Sequence, residues 1–191
     1  MRSTWLLRQL ASWSATFGQR GVAWKCWQQV LDRDPDDLQA LSAIGHLHAG
    51  AGHPSAAIEC FERIVSLGAA TPAHWFNLGF LRQQLEDHPA AIAAFDRAIA
   101  GDERLDRAWY GKALSLIKLG RVEDAIPLLQ KNTELQPFSP FGWYQLAHAY
   151  HRLGRTEQVE RTIRQLAGFE PKVARQLERE TGVHVGIDVP F

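Results

Sequence analysis

A period of thirty-four residues runs through this chain and restricts it to a small set of architectures. Trp75, Trp109 and Trp143 mark it, each thirty-four residues after the last. The same frame extends in both directions without insertion or deletion, giving five units: residues 4–37, 38–71, 72–105, 106–139 and 140–173. The third, PAHWFNLGFLRQQLEDHPAAIAAFDRAIAGDERL, is the clearest. Its Trp75, Leu78 and Gly79 share one face of a first helix, and Ala91, Phe95 and Ala98 share one face of a second. Leu41, Ile44 and Gly45 hold the first-helix places in the second unit, Leu7, Leu10 and Ala11 in the first, and Trp143, Leu146 and Ala147 in the fifth.

Each unit therefore predicts two short helices folded back on each other. In the second helix a small residue (Ala57, Ala91, Ala125) stands four before a large one (Phe61, Phe95, Leu129), so a bulky side chain fits beside a close backbone contact. Gly18, Gly52, Gly120 and Gly154 fall between the helices, where a left-handed turn residue is needed. Thr71-Pro72 and Ser139-Pro140 place a hydroxyl N-cap before a proline at the first helical position, a strong helix start. The tryptophans at 75, 109 and 143 recur on the packing face and are expected in the core. Cys26 and Cys60 occupy one place in successive units. Stacked helix pairs hold such places on the order of 10 Å apart, beyond the ~7 Å a disulfide spans, so both read as buried, unpaired thiols.

Composition narrows the classes further. Hydrophobic residues make up 46% and charged ones 22%, a globular balance. A formal net charge of +0 gives no support to a nucleic-acid or acidic-membrane partner. Arg8 and Gln9 interrupt the apolar start, so no secretory signal is expected, and the default location is cytoplasmic.

The motif Trp75-x-x-Leu78-Gly79 with Ala91-x-x-x-Phe95, and Trp143-x-x-Leu146-Ala147-x-x-Tyr150 with Pro171, resembles the tetratricopeptide repeat (TPR) family. The resemblance spans residues 4–173, with departures at Arg82, Lys112 and Glu103. It implies an all-α solenoid, a right-handed superhelix of helix pairs in one domain, residues 1–182, whose first helices line a concave groove. First-helix places one residue past the packing aromatic, and four further on, then face that groove. They hold Arg8, Ser12, Ser42, His46, Phe76, Phe80, Tyr110, Leu114, Tyr144 and His148, with Asn77, Arg107, Phe141 and Gln145 beside them. An aromatic run across three successive units marks a binding surface. The expected partner-binding residues are Phe76, Asn77, Phe80, Arg107, Tyr110, Phe141, Tyr144, Gln145 and His148. Family members that capture acidic C-terminal tails use a clamp of basic and Asn residues. Only Asn77 and Arg107 match it here, while Ser42, His46 and Gly111 depart from it. An aromatic, mostly neutral groove suits an extended or helical apolar peptide of a partner protein instead.

No chemistry competes with that reading. GHLHAGAG lacks the Gly-Lys-Ser/Thr of a phosphate loop, and Gly52 is already the turn glycine. His148 and His151 lie three apart but lack further ligands in pattern. The expectation is a non-enzymatic interaction scaffold without cofactor or metal.

Beyond Pro171, KVARQLERETG predicts a capping helix, residues 172–182, ended by Gly182, with Glu178 and Glu180 making its outer face polar. VHVGIDVPF, residues 183–191, then alternates apolar and polar with period two. Ordering nine such residues costs roughly 9–18 kcal/mol, and burying five apolar side chains returns about 7–15 kcal/mol. This tail can stay mobile, dock on its own chain, or lie in a neighbouring molecule's groove, which makes a self-assembling homo-oligomer the alternative function.

Overall fold

A computed structural model describes residues 3–187, and among them all regular structure is α-helical. Eleven helices are described. They are α1 (Thr4–Thr16), α2 (Arg20–Leu31), α3 (Leu38–Gly50), α4 (Pro54–Ser66), α5 (Pro72–Gln84), α6 (His88–Gly101), α7 (Asp106–Lys118), α8 (Val122–Leu135), α9 (Pro140–Arg152), α10 (Thr156–Ala167) and α11 (Pro171–Thr181). One helix pair falls in each thirty-four-residue unit. The chain divides into two compact units, a first ending with α6 at Gly101 and a second starting at Asp102 before α7. Within the first unit each helix packs on the one before it. Within the second, α8 to α11 continue that pattern, and α11 also reaches α9.

The predicted helix starts and turns have visible physical causes. Thr71 Oγ1 accepts from the His74 backbone N–H, and His74 Nδ1 accepts from the Thr71 N–H at 3.1 Å, a reciprocal cap ahead of Pro72. Asp37 caps α3 by accepting from the Ala40 N–H at 2.8 Å. Gly18, Gly52, Gly120 and Gly154 all sit at φ between +68° and +79°. The third unit puts Glu86 at that place, at φ +60°. A left-handed residue bearing a Cβ costs roughly 1–2 kcal/mol. Glu86→Gly is therefore expected to stabilise the protein by about 1 kcal/mol. It should appear as a higher urea midpoint at an unaltered slope. An unchanged or lower midpoint would show that this turn stores no strain.

The core follows the small-beside-large rule. Phe61 and Phe95 are fully buried. A Cβ added to Gly79 would come within 2.7 Å of the Phe95 ring, and one added to Gly45 within 3.0 Å of the Phe61 ring. In the second and third units the first helix's glycine is thus the floor on which the second helix's phenylalanine lies.

Two expectations need correction. Trp75, Trp109 and Trp143 are half-buried rather than core. Trp109 Nε1–H donates to the Glu103 carbonyl and Trp143 Nε1–H to the Pro137 carbonyl, each six residues back and at 2.9 Å. An indole whose N–H must find a partner is held at the boundary, where a loop carbonyl supplies one. Trp75 lies under Arg97, whose guanidinium carbon is 5.3 Å from the ring centroid. The second correction concerns α11, whose Glu178 turns inward while Glu180 stays exposed. Glu178 is buried and accepts from the backbone N–H groups of Val185 (2.6 Å) and Gly186 (3.0 Å). A carboxylate satisfied by two N–H donors can leave the solvated face.

Gly182 closes α11 in the left-handed conformation, φ +70°, and the tail turns back against its own helix. Val183, Val185 and Ile187 are half-buried while His184 and Gly186 are exposed, so the alternation becomes an alternation of burial. Asp188, Val189, Pro190 and Phe191 lie outside the described residues. Both cysteines are free thiols, Cys26 buried and Cys60 only half-buried, with burial pushing the Cys60 thiol up from its ordinary pKa. None of the described helices is long and apolar enough to cross a membrane.

Candidate binding site

The predicted binding residues divide between the two units. Phe76, Asn77 and Phe80 stand on α5 in the first. The Phe76 and Phe80 rings stack at 6.4 Å, one helical turn apart, and Phe76 leans on Phe95 at 6.0 Å. That contact fixes the Phe76 ring against the core and leaves Phe80 exposed beside it.

In the second unit the geometry is more enclosed. Tyr110 from α7, Pro140, Phe141, Tyr144 and Gln145 from α9, and Val173 and Gln176 from α11 line a cavity of about 310 Å³. The Tyr110 and Tyr144 rings come from equivalent places in successive repeats, which is why a linear pattern makes one wall. Phe141 stands at the rim with 69% of its surface exposed. Burial pushes the Tyr110 hydroxyl above its ordinary pKa, opposed by a hydrogen bond with Gln145.

A carboxylate organises one side of this site. Glu180 of α11 accepts from the Tyr144 hydroxyl at 2.7 Å and from the Gln176 amide at 2.8 Å, and stands 3.0 Å from His148 Nε2. The Tyr144 and His148 rings meet edge to face at 4.6 Å. Hydrogen bonds from Gln176, then Tyr144, hold the Glu180 carboxyl below its usual range, and the same bond to Glu180 is the main cause that raises the Tyr144 hydroxyl. His148 therefore adjoins the site through Glu180 and does not line the cavity. Arg107 is exposed on α7, also outside the lining.

The sequence reading missed Pro140, Val173, Gln176 and Glu180. The signal was present: the thirty-four-residue frame carried one step further puts Leu177 at the packing place, and Leu177 is fully buried. By that count α11 is a sixth first helix. Glu178 then holds the column of Phe76, Tyr110 and Tyr144, each thirty-four residues before the next.

A larger cavity, about 520 Å³, lies among α8, α9 and α10 with Gln130, Glu134, Trp143, Tyr150 and Arg161 in its wall. Its charges are already paired, Glu134 with Lys131 and Arg161 with Glu157, and Gln130 donates to the Tyr150 hydroxyl. The smaller cavity is the stronger candidate, because three aromatic rings line it and the Phe141 ring stands exposed at its rim. Among the described residues no group of three or more His, Cys, Asp or Glu is placed to hold a metal ion.

Comparison with known proteins bears on the repeat. Tetratricopeptide repeat family models match residues 42–104, 81–140 and 142–172. Tetratricopeptide repeat protein 8 of Caenorhabditis elegans is 20% identical over 156 residues, which span 81% of this chain and 31% of that protein. The chain spans less than a third of the length of such curated relatives. The crystal structure of MamA aligns with a TM-score of 0.78 at 23% identity, covering 98% of each chain. That of YrrB, a TPR protein with an unusual peptide-binding site, aligns at 0.81 with 17% identity over 91% of this chain and 90% of its own. These likenesses establish the all-helical TPR solenoid fold. With family models matched across more than half its length, and a helix pair in each predicted repeat, the chain belongs to the tetratricopeptide repeat family.

Proposed function

We propose that this protein is a non-catalytic interaction scaffold whose second unit binds an extended, apolar segment of a partner protein. The observation that carries this reading is the aromatic cavity of about 310 Å³, with Phe141 exposed at its rim. Aromatic rings supply large contact area at low conformational cost, and the Gln145 and Gln176 amides can pair with a peptide backbone. The chain's own tail supports the extended geometry. Its residues 183–187 lie unwound, and Glu178, in the column of Tyr110 and Tyr144, takes their N–H groups as a groove residue would take a ligand's. YrrB, of like fold, has a peptide-binding site. The same reading gives Phe76, Asn77 and Phe80 a binding role on the first unit, with Arg107 and His148 beside the second unit's site.

Selection of displayed random peptides on the wild-type protein tests this directly. Extended apolar sequences should be enriched. Phe141→Ala and Tyr110→Ala should each weaken the selected peptides by about tenfold or more, near 1.4 kcal/mol. Peptides held equally by wild type and both variants would sink the cavity as the site.

A further inference from the structure

Helix α1 carries two apolar stripes, and its own chain uses one. Leu7, Ala11 and Ser14, at spacings of four and three, face α2 and are buried. Leu6, Leu10, Trp13 and Phe17 follow at spacings of four, three and four on the neighbouring face, and all are exposed. That second spacing is the seam of a helix that pairs with another helix. Phe17 lies against Trp13 with ring centroids 6.2 Å apart, and Trp5 flanks the row.

The repeat explains what this face is. Leu10 holds the place of Ile44, Leu78 and Leu146 in later units. Those three are 3%, 2% and 3% exposed, whereas Leu10 is 38% exposed. Among the described residues nothing covers this face. Here the face is apolar and uncharged: the exposed polar residues beside it are Gln9 and Thr16. Arg8, the one charge in α1, pairs with Asp37.

We infer that this face binds the same face of a second copy of the chain, α1 against α1 across a two-fold axis. An uncharged apolar row is complementary to itself, with no like charges to repel across the axis. Trp5, Trp13 and Phe17, roughly two-thirds exposed, offer ~400 Å². The two leucines bring the row to ~500 Å² per molecule, and doubling gives the ~1,000 Å² that a specific interface needs. The row runs over three turns, ~16 Å, with room for interlocking side chains. A membrane surface is the weaker occupant, because amphipathic membrane helices carry Lys and Arg along the polar face and α1 offers only the paired Arg8. This interface lies at the start of the first unit and is independent of the peptide reading.

The test is sedimentation equilibrium of the full chain from about 1 to about 100 µM, the range in which a small interface dissociates. Wild type should pass from the 21.5 kDa monomer to twice that mass. Trp13→Glu should remain monomeric throughout, and so should Leu6→Gln/Trp13→Gln, which adds no charge. Both should keep the wild-type circular dichroism, since the altered side chains are exposed. Phe141→Ala should dimerise like wild type. The inference is overturned if wild type stays monomeric, or if the α1 variants dimerise as well as it does. Loss of the dimer in Phe141→Ala would also overturn it, since α1 would then be seated in the cavity. So would flotation with phosphatidylcholine–phosphatidylglycerol vesicles by wild type but not Trp13→Glu, which would assign the face to lipid.

Discussion

Phe95→Ala is expected to destabilise the protein by about 3–5 kcal/mol, read from urea denaturation monitored on helical circular dichroism. The ring is fully buried, rests on Gly79 and supports Phe76 at 6.0 Å. Removing it leaves a cavity lined by two helices whose backbones cannot close further. The mechanism makes a sharper claim than the magnitude. Gly79→Ala alone places a Cβ 2.7 Å from the ring and should cost about 1–3 kcal/mol through overpacking. In a Phe95→Leu background the flat ring that meets that Cβ is gone, so the same glycine change should cost much less. A double-mutant cycle should then show coupling of about 1 kcal/mol or more in the compensating direction. Strict additivity would mean that Gly79 is required for some reason other than the ring above it. Because repeats are stabilised by neighbour contacts, the α5–α6 pair should lose hydrogen-exchange protection first.

Asp37→Ala should be the next largest loss, about 2–3 kcal/mol. Asp37 is buried and does two things at once. One oxygen caps α3 through the Ala40 N–H at 2.8 Å, and the other accepts from the Arg8 guanidinium. The cap is worth about 1–2 kcal/mol by itself. The ion pair adds less than a fully buried one would, since the Arg8 side chain is 40% exposed. Asp37→Asn keeps an oxygen for the cap and loses the charge, so it should cost only about 1 kcal/mol. Equal losses for the two substitutions would show that the charge, not the cap, is what matters. Arg8, at a place expected to face the groove, is tied by this pair to the start of α3.

Most of the fold could be read from the chain because a repeat states its rule several times over. A glycine every thirty-four residues marks the turns, and the one exception, Glu86, takes the left-handed conformation anyway. The equivalence of Phe76, Tyr110 and Tyr144 along the chain was legible for the same reason, and the second unit brings Tyr110 and Tyr144 to one cavity. What the column lacked was its last member. Glu178 breaks the residue type of that column while keeping its place, so pattern alone assigned it to an outer polar face. The tryptophans erred the other way: their recurrence suggested core, whereas a donor N–H holds each indole of Trp109 and Trp143 at a loop carbonyl.

By itself the sequence determined the period, the helix pairs, the caps and the residue types along each helix face, because these depend on spacing within about thirty-four residues. Only the tertiary structure decided which faces are covered. It turned Glu178 inward onto Val185 and Gly186, set Glu180 against Tyr144 and His148, and left Leu6, Leu10, Trp13 and Phe17 uncovered. Burial depends on which helices pack alongside, which lies beyond any one unit. Leu10 is 38% exposed while Ile44, Leu78 and Leu146 at the same place are 2–3% exposed, and no local pattern distinguishes them.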